Sequence, residues 1–380
     1  TQGGSEVLTE RLAIRPTSET MFCTMYARWI QSWRDLPMKY NQWCSVMRWE
    51  KTTRPFLRTS EFWWQEGHTM HATAEEAQEE TLQMLEVYRE VCEDVLAMPV
   101  FAGQKSDKEK FAGARATYSV EAMMQDGKAL QAGTSHNFGT NFSEPFEVQF
   151  LDKDGTLKHC HETSWGSSTR LIGAVIMTHG DERGLKLPPQ IAPFQAVILP
   201  IAAHKGGVIE RCEQVYQQLH EAGIRVKLDD RDNLSPGWKF NEWELKGVPL
   251  RLEIGPRDIE NGVASYMRRD TFEKGTLPLD SLAEGVKELL NDIQRSMFAQ
   301  AKAFMDEHTK DVHSYEELRQ QVQTGYARAM WCGSRACEDN IKEETSATSR
   351  NMPFDQTPIG DSCVCCGQKA DKVMYFSKAY

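Results

Sequence analysis

The stretch Val46–His68, VMRWEKTTRPFLRTSEFWWQEGH, indicates two β-strands joined by a loop of Lys, Thr, Arg and Pro. The predicted strands are 41–50 and 60–68. Because side chains alternate between the two faces of a strand, Arg48 and Glu50 are expected to share one face. A cation on a sheet surface, with Arg58 on the loop and aromatic rings nearby, suits an anionic, planar ligand such as a nucleoside triphosphate. A solvated hairpin with a salt bridge fits the same residues about equally well.

The same stretch resembles motif 2 of the class II aminoacyl-tRNA synthetases, in the form found in prolyl-tRNA synthetases. Other segments match this family in the same order: LAIRPTSET (12–20), LQAGTSHNFG (130–139), TSWGSSTRLIGAVIMTHGD (163–181) and paired cysteines near the C-terminus. Several independent motifs in a fixed order are more specific than one motif alone. The resemblance implies ATP-dependent activation of L-proline to prolyl-adenylate and transfer to tRNA(Pro), with Mg²⁺ as a further cofactor.

The resemblance also implies the fold class, α+β, in three parts. A class II catalytic core with an antiparallel sheet is expected over residues 1–190, and an α/β anticodon-binding domain over 191–305. In that second part the alternation of strands and helices by itself indicates a mostly parallel sheet. A small zinc-binding domain is expected over 306–380. The span between motifs 2 and 3 is too short for a large editing insertion, so the chain resembles the archaeal and eukaryotic-like branch.

The 380 residues carry a formal net charge of −11, which argues against a protein that coats nucleic acid nonspecifically. A tRNA partner remains compatible, because single-stranded bases are read by stacking and edge hydrogen bonds. No apolar run approaches the length of a membrane span, and no secretory signal is visible. The clustered cysteines indicate metal ligands in a reducing compartment, so we expect a cytoplasmic protein, as the resemblance also implies. Motif 1, which supplies dimer contacts in this class, has no match. The resemblance implies a homodimer through the class II core, and the absence of motif 1 leads us to expect that an N-terminal segment is missing from this chain.

Two arginines are predicted to act on ATP. Arg170 is surrounded by apolar residues at the start of a predicted helix and needs an anionic partner. A structural salt bridge would meet that need, whereas the resemblance makes the partner the γ-phosphate and assigns the α-phosphate to Arg48. These two are the predicted catalytic residues. The ATP-binding set implied by the resemblance is Arg48, Glu50, Arg58, Thr59, Phe62, Gln131, Thr134, Ser168 and Arg170.

A second set is implied for proline. Thr17 and Glu19 precede and begin a helix predicted over 18–33, where such residues usually serve as an N-cap and a favourable first-turn charge. The resemblance makes them the imino pocket, because a cationic secondary amine needs an acceptor and a carboxylate. His136 alone is more typical of a hydrogen-bonded structural residue, but the resemblance places it against the proline ring. The full predicted set is Thr17, Glu19, Arg48, Trp64, His136, Ser164 and Trp165.

The segment SPGWKFNEWELKGVPLRLEIGPRD interleaves polar residues with tryptophans, as readers of unstacked bases require. Glu244 could accept a hydrogen bond from a guanine edge, and Arg251 could donate one to a base or to phosphate. Sheet-edge charges and ion pairs explain the same pattern. The predicted anticodon set is Glu244, Arg251, Arg257 and Asp258.

Two cysteine pairs near the C-terminus have zinc-knuckle spacing. The predicted ligands are Cys332, Cys337, Cys363 and Cys366, whose four thiolates suit tetrahedral zinc. Cys365 leaves an alternative pairing open, and disulfides are less suited to a reducing compartment. In the family this domain is structural, and the carboxylate of a C-terminal Tyr, here Tyr380, lies toward the active site.

Two other functions were weighed against this interpretation. One is another class II synthetase, for threonine, serine or glycine, which Thr17, Glu19 and the segment TSWG disfavour. The other is a catalytically inactive, synthetase-like protein that binds tRNA. Such proteins tend to lose the ATP-binding arginines, and both arginines are present here.

Overall fold

A computed structural model describes residues 2–3, 6–7, 9 and 13–380. The motif LAIRPTSET begins at Leu12, which lies outside the described residues, whereas the rest of that motif lies inside them. Contacts group the described residues into two compact units. The first unit contains residues up to 89 together with 100–174 and 308–380, and the second contains 90–99 and 175–307.

The elements before residue 180 are β1 (Gln2–Gly3), β2 (Glu6–Val7), α1 (Glu19–Trp29), β3 (Met38–Met47), β4 (Glu61–His71), α2 (Ala74–Glu90), β5 (Val100–Gln104), β6 (Ala116–Met123), β7 (Ala129–Gly139), β8 (Gln149–Leu151), β9 (Leu157–His159), β10 (His161–Ser168) and α3 (Arg170–His179). Those that follow as far as residue 307 are β11 (Ala196–Pro200), α4 (Val208–Glu221), β12 (Val226–Leu228), α5 (Pro236–Leu245), β13 (Leu250–Ile254), α6 (Pro256–Glu260), β14 (Val263–Arg268), β15 (Lys274–Pro278) and α7 (Leu282–Glu307). The remaining elements are β16 (Thr309–Val312), α8 (Tyr315–Gln321), β17 (Tyr326–Trp331), α9 (Arg335–Thr345), β18 (Thr348–Ser349), β19 (Met352–Pro353) and β20 (Lys372–Ser377). In the described part of the chain, no helix is both long and apolar enough to cross a membrane.

The first unit is built on one antiparallel sheet, with the described strands in the order β19, β5, β6, β7, β10, β4, β3. The predicted antiparallel catalytic sheet is therefore confirmed. Strand β10 lies between β7 and β4, so that Ser164 is opposite both His136 and His68. This order brings polar residues from three distant motifs onto neighbouring strands.

The first of the two predicted strands begins and ends earlier than expected. Strand β3 ends at Met47, and the last link to its partner is the bond from Arg48 N to Ser60 O, at 2.7 Å. The predicted strand 41–50 is therefore wrong at its C-terminal end, because Arg48 and Glu50 lie beyond the last residue of β3. The chain leaves the sheet here because the loop turns back on itself, with Arg54 and Arg58 joined by a β-bridge.

Helix α1 is shorter than the predicted span of 18–33. It ends at Trp29 because Ile30 has extended backbone angles and the side chain of Asp35 accepts hydrogen bonds from the next two backbone N–H groups. The buried side of α1 carries Cys23 and Tyr26 into a cluster with Met70, Phe150 and others. The Tyr26 hydroxyl also donates to His68 O at 2.7 Å, which fixes the helix against β4.

The C-terminal segment belongs to the same compact unit as the catalytic sheet. Strand β19 extends that sheet by pairing with β5, while β16, β17, β20 and β18 form a sheet of their own. The second sheet and helices α8 and α9 enclose a core that includes Leu318, Trp331 and Phe376.

The second unit contains a five-stranded sheet in the order β12, β11, β13, β14, β15. Strand β11 pairs in parallel with β12 and β13, but β13–β14 and β14–β15 are antiparallel. The predicted mostly parallel sheet is therefore only half right. The connection from Ile254 to Val263 holds little more than the short helix α6, and a parallel crossover needs a dozen or more residues. Helices α4 and α7 cover the sheet with an apolar core.

Candidate active site

A cavity of about 260 Å³ opens on the sheet of the first unit. Its walls come from strands β4, β7 and β10, the start of α1 and the loop between β3 and β4. Every residue that the sequence predicted for ATP or proline lines this cavity: Thr17, Glu19, Arg48, Glu50, Arg58, Thr59, Phe62, Trp64, Gln131, Thr134, His136, Ser164, Trp165, Ser168 and Arg170. Motifs that are far apart in the chain therefore meet at one site.

Arg48 lies across two aromatic rings. Its guanidinium is 5.1 Å from the centroid of Phe62 and 5.4 Å from that of Trp64, and its Nε donates to Pro16 O at 3.0 Å. Burial lowers the pKa of Arg48, although nearby carboxylates, Glu19 first, oppose that shift. Since arginine keeps its charge in proteins, the result is an oriented cation in a partly dehydrated site.

Arg170, the first residue of α3, is held by backbone carbonyl groups. Its Nε donates to Leu57 O at 2.9 Å and its Nη1 to Gln131 O at 3.3 Å. Among the described residues, no carboxylate lies within ion-pair distance of it, so the alternative of a structural salt bridge is not supported. Burial lowers the pKa of Arg170, and the nearby charges of Arg58 and Arg48 lower it further. Three cations thus line one cavity and act on one another electrostatically.

Arg58 and Glu50 form a salt bridge, as the alternative of a solvated hairpin with a salt bridge predicts. Arg58 Nη1 lies 3.4 Å from Glu50 Oε2, and the arginine side chain is half exposed. Exposed pairs of this kind contribute about 0–1 kcal/mol. The pair is compatible with both interpretations of the hairpin, because its members also line the cavity.

Buried carboxylates also line the cavity. Glu19 is 5% exposed, accepts a hydrogen bond from the Thr17 hydroxyl, and accepts another from Ser164 Oγ at 3.3 Å. The residue at the N-cap position of α1 is Ser18, whose side chain makes no capping bond. The usual helix-start explanation therefore does not account for Thr17. A buried, oriented carboxylate flanked by hydroxyl groups suits a small cationic amine.

Glu66 and His68 also line the cavity and were not among the predicted site residues. Both are almost fully buried, and Glu66 Oε1 lies 3.2 Å from His68 Nε2. Burial alone would raise the pKa of Glu66, but hydrogen bonds from His68, Ser18 and Gln42 outweigh it and lower the pKa. The strand alternation that puts Phe62 and Trp64 on one face also includes these two residues, so the signal was available in the sequence.

His136 is hydrogen-bonded and also lines the cavity. Its Nδ1 lies 2.9 Å from Thr117 Oγ1, while the ring lines the cavity and lies 4.9 Å from the Phe111 ring, centroid to centroid. Burial, with a smaller effect of Lys105 and His68, lowers the pKa of His136 to about 3. The imidazole is therefore neutral near pH 7 and presents a flat, uncharged surface.

A loop that no matched motif includes completes the wall. Lys105, Glu109 and Phe111 all line the cavity from the segment between β5 and β6. Backbone and side-chain bonds tie this loop to Thr117, which accepts from Phe111 N at 3.0 Å and whose carbonyl accepts from Lys105 N at 2.8 Å. Nothing in the local sequence pattern distinguished these residues from an ordinary charged loop.

The predicted anticodon residues lie in the second unit and separate into two groups. Glu244 and Arg251 line a small pocket that Trp243 and Met267 complete. There Glu244 accepts from Arg183 at 3.0 Å, and Arg251 pairs with Glu253 at 2.9 Å. Arg257 and Asp258 lie apart from this pocket, on α6. Asp258 accepts hydrogen bonds from Gly255 N and Ser265 Oγ, which favours the structural alternative for that residue.

The four predicted cysteine ligands converge near the C-terminus. The Sγ atoms of Cys332 and Cys337 are 3.7 Å apart, those of Cys337 and Cys363 4.0 Å, and those of Cys332 and Cys366 3.8 Å. All four sulfur atoms lie within 4.8 Å of one another. A tetrahedral site with Zn–S bonds of about 2.3 Å needs sulfur atoms about 3.8 Å apart, so the arrangement fits zinc. Cys365 is outside this cluster, and its sulfur accepts from Asn340 at 3.5 Å.

The C-terminal residue docks beside the cavity loop. Tyr380 N donates to Ala129 O at 3.2 Å at the start of β7, and its hydroxyl donates to Asp126. The ring lies 5.2 Å from the guanidinium of Arg54 and 5.1 Å from the ammonium of Lys128. Arg54 belongs to the loop that carries Arg58 into the cavity. The chain end therefore contacts the border of the site.

Three family profiles match the chain. The class II core domain of tRNA synthetases (G, H, P, S and T) matches residues 5–179, the anticodon-binding domain 195–289, and the C-terminal domain of prolyl-tRNA synthetases 315–380.

Relatives and a solved structure agree with those profiles over the whole chain. The chain is 58% identical to the proline–tRNA ligase of Alkaliphilus oremlandii and 57% identical to proline–tRNA ligase 2 of Clostridioides difficile. Each match covers all of this chain and 79% of the relative. A crystal structure of prolyl-tRNA synthetase from Cryptosporidium parvum, complexed with halofuginone and AMPPNP, is 43% identical, with a TM-score of 0.96. That match covers all of this chain and 80% of the other.

Proposed function

Because the chain belongs to the proline–tRNA ligases, the class II synthetases that charge tRNA with proline, we propose that proline and ATP react in the cavity of the first unit. The observation that carries this proposal is that three arginines and two buried carboxylates line the same cavity, and we take these two groups to define its two ends. Arg48, Arg58 and Arg170 form its cationic end, and Glu19 with Glu66 forms its acidic end. Triphosphate and amine thus each meet the opposite charge.

Proline is held at the acidic end. Its secondary ammonium donates to Glu19 and Thr17, and its ring lies against the neutral face of His136 and the indoles of Trp64 and Trp165. Ser164 orients Glu19 through the bond described above. The proline carboxylate then points toward Arg48, whose cation stabilises it close to the α-phosphate.

ATP occupies the cationic end. Phe62 and the guanidinium of Arg58 bracket the base, with Glu50 and Thr59 on the same loop. Gln131, Thr134 and Ser168 lie beside the phosphates and the Mg²⁺ that class II synthetases use. When bound, Mg²⁺ supplies further positive charge at the triphosphate. Arg170 binds the γ-phosphate.

The reaction needs positioning and charge stabilisation more than a protein nucleophile. A carboxylate oxygen of proline forms a bond to the α-phosphorus while the bond to the bridging oxygen breaks, which releases pyrophosphate. Arg48 stabilises the charge that develops on the α-phosphate, and Arg170 the charge on the leaving group. A hydroxyl of the terminal ribose of tRNA(Pro) then attacks the prolyl carbonyl carbon, and AMP leaves.

Pyrophosphate exchange with a panel of amino acids tests this function. Proline is expected to support exchange far more efficiently than threonine, serine or glycine. Exchange with one of those three instead of proline would favour another class II synthetase. No exchange with any amino acid, combined with tRNA binding, would favour an inactive synthetase-like protein.

We also propose that the four cysteines hold a structural zinc ion and that Tyr380 supports the site from its border. The sulfur geometry supports the first statement. The bonds that join Tyr380 to β7 and to Arg54 support the second. The corresponding domain boundaries are 1–190, 191–305 and 306–380. Glu244 and Arg251 are better placed than Arg257 and Asp258 to read the anticodon, since they share a pocket.

A homodimer is proposed from the exposed aromatic surface on β3 and β4. Strand β3 is an outer strand of the described sheet, and Trp43, Trp63 and Met47 are exposed on one face of the pair. An apolar surface of that kind marks an interaction site more often than an ordinary surface. Sedimentation of the wild-type chain and of Trp43→Ser would test it, and equal masses corresponding to a monomer would contradict it.

The branch and the location follow from the same kinship. The high similarity to the Cryptosporidium structure and the short segment between motifs 2 and 3 support the archaeal and eukaryotic-like type, without an editing insertion. A cytoplasmic location is proposed because it is typical of proline–tRNA ligases.

A further inference from the structure

Three charged side chains form a buried cluster behind the wall of the cavity. Lys105 Nζ lies 3.2 Å from Glu121 Oε1, while Arg350 Nη2 and Nε lie 2.7 Å and 3.1 Å from Glu121 Oε2. All three residues are less than a tenth exposed. Ser119 Oγ also donates to Glu121, at 2.9 Å. Lys105 lines the cavity, whereas Arg350 comes from the C-terminal segment, 245 residues away.

The cluster holds two cations and one carboxylate, and Glu109 is a further carboxylate that acts on both cations. Burial would raise the pKa of Glu121, but Arg350 and then Lys105 lower it, so the carboxylate is charged. Burial lowers the pKa of Lys105, an effect that Glu121 opposes. Because an unpaired buried charge is costly, each of the two cations holds the carboxylate in place for the other. The Arg350 carbonyl also lies 3.4 Å from Lys105 Nζ as an acceptor.

Two further contacts attach the same loop to the C-terminal segment. Lys108 Nζ lies 2.7 Å from Asp339 Oδ1, and Ser106 Oγ lies 3.4 Å from Ser349 Oγ. The loop between β5 and β6 therefore contacts the C-terminal segment at three places. On its other side it presents Phe111 to His136, at the end of the cavity where proline is proposed to bind.

We propose that Arg350 is a positioning residue for proline. Acting through Glu121, it fixes Lys105 and the loop that carries Phe111, so that the C-terminal segment determines how well the proline end of the cavity is formed. The cationic end, where the triphosphate is proposed to bind, is built from Arg48, Arg58 and Arg170, whose contacts described above lie outside this cluster. The charges of Glu121 and Arg350 nevertheless act on Arg170 at longer range. The inference rests on the proposed assignment of the two ends.

The test compares Arg350→Met with Arg350→Lys in the full chain. Methionine leaves Lys105 and Glu121 as a balanced pair and fills much of the space of the arginine stem, whereas lysine restores one charged contact. Arg328→Met is the matched control, because Arg328 forms its ion pair with Asp311, in the same C-terminal sheet, and not with the cluster. Calorimetric titration gives the dissociation constants for proline and for ATP, and pyrophosphate exchange gives the KM for each.

Misplacement of a positioning group by about 1 Å can cost as much as 10²-fold, so Arg350→Met is expected to weaken proline binding by roughly 10- to 100-fold. ATP binding should weaken by a much smaller factor than proline binding, because the arginines that form its end of the cavity stay in place and Arg170 loses only the longer-range charge of Arg350. Arg350→Lys should recover part of the loss, and Arg328→Met should match the wild type for both ligands. A larger loss of proline binding than of ATP binding distinguishes positioning from a general loosening of the fold, which would weaken the binding of both ligands.

Several results would overturn the inference. Equal losses for ATP and proline, or an Arg350→Met variant that matches Arg328→Met, would show that the cluster does not position the proline end. If Arg350→Met fails to fold, Asp339→Asn tests the same loop from a partly exposed contact and should weaken proline binding by a smaller factor. An unchanged Asp339→Asn would then reject the inference. Absence of proline binding by the wild type would instead reject the proposed site.

Discussion

Arg170 Nε donates to Leu57 O at 2.9 Å, so the first residue of α3 holds the loop between β3 and β4 directly. That loop carries Arg58 into the cavity, and Arg170 Nη1 also reaches Gln131 O on β7. One guanidinium thus joins three separate motifs. Since its backbone partners are neutral, the positive charge of Arg170 remains available to a phosphate.

Replacement of Arg48 or Arg170 by Ala should greatly slow proline-dependent pyrophosphate exchange. Each variant removes a donor that acts on developing phosphate charge, and losses of about 10²–10³ in kcat are typical of one such donor. Arg295→Ala, at an exposed position of α7, controls for loss of an arginine and should leave the rate unchanged. Near-normal exchange in both Arg48→Ala and Arg170→Ala would reject their assignment.

The proline pocket should reject large amino acids better than small ones. A larger side chain clashes with the walls, whereas a smaller one loses only contacts, at about 1–3 kcal/mol per methylene. We therefore expect measurable activation of alanine or cysteine and none of leucine. Because the segment between motifs 2 and 3 is too short for a large editing insertion, purified protein should not hydrolyse Ala-tRNA. Rapid deacylation would contradict this expectation.

The matched motifs account for the residues of the cavity that could be predicted. Glu19, Arg48 and Ser164 each lie in such a segment, and their predicted roles are those that the family resemblance implies. The contact between Lys105 and Arg350 joins residues too distant in sequence to leave a local pattern, so it required the folded chain. The antiparallel half of the second sheet was missed for a related reason, because strand direction depends on the length of the connection after Ile254.

Glu162 should make stability depend on pH. It is fully buried under α1, where burial, opposed by a hydrogen bond with Cys23 and reinforced by the charge of Glu19, raises its pKa to about 8. The folded state therefore keeps a proton that the unfolded chain has lost above about pH 4.5. The stability present below that value is lost as pH rises toward 8, by up to about 1.4 kcal/mol per pH unit.

Glu162→Gln removes this dependence while it preserves the shape of the side chain. Urea unfolding at pH 5, 6, 7 and 8 should give a free energy of unfolding that falls less steeply for the variant than for the wild type. Glu61→Gln, at an exposed position of β4, serves as the control and should keep the wild-type slope. Parallel curves for Glu162→Gln and the wild type would mean that Glu162 is ionised in the folded protein.

The zinc site can be tested without substrate. Four thiolates around one ion leave no open position, so the ion would be structural, and apparent binding in zinc-finger peptides is about 10–16 kcal/mol. Elemental analysis of protein purified without added metal should give about one zinc per chain, as one four-ligand site requires. Cys363→Ser should lower that content and destabilise the C-terminal segment.

Cys365→Ser is the matched control, because Cys365 is two residues away yet lies outside the cluster of four sulfur atoms. It should keep the zinc content and the melting temperature of the wild type. If Cys365 proves necessary and Cys366 dispensable, the ligand set is wrong, although a metal site remains. If replacement of Cys365 or of Cys366 has no effect and the purified protein contains no metal, the metal site itself is rejected. The folded C-terminal segment would then depend on the apolar core around Leu318 and Trp331 alone.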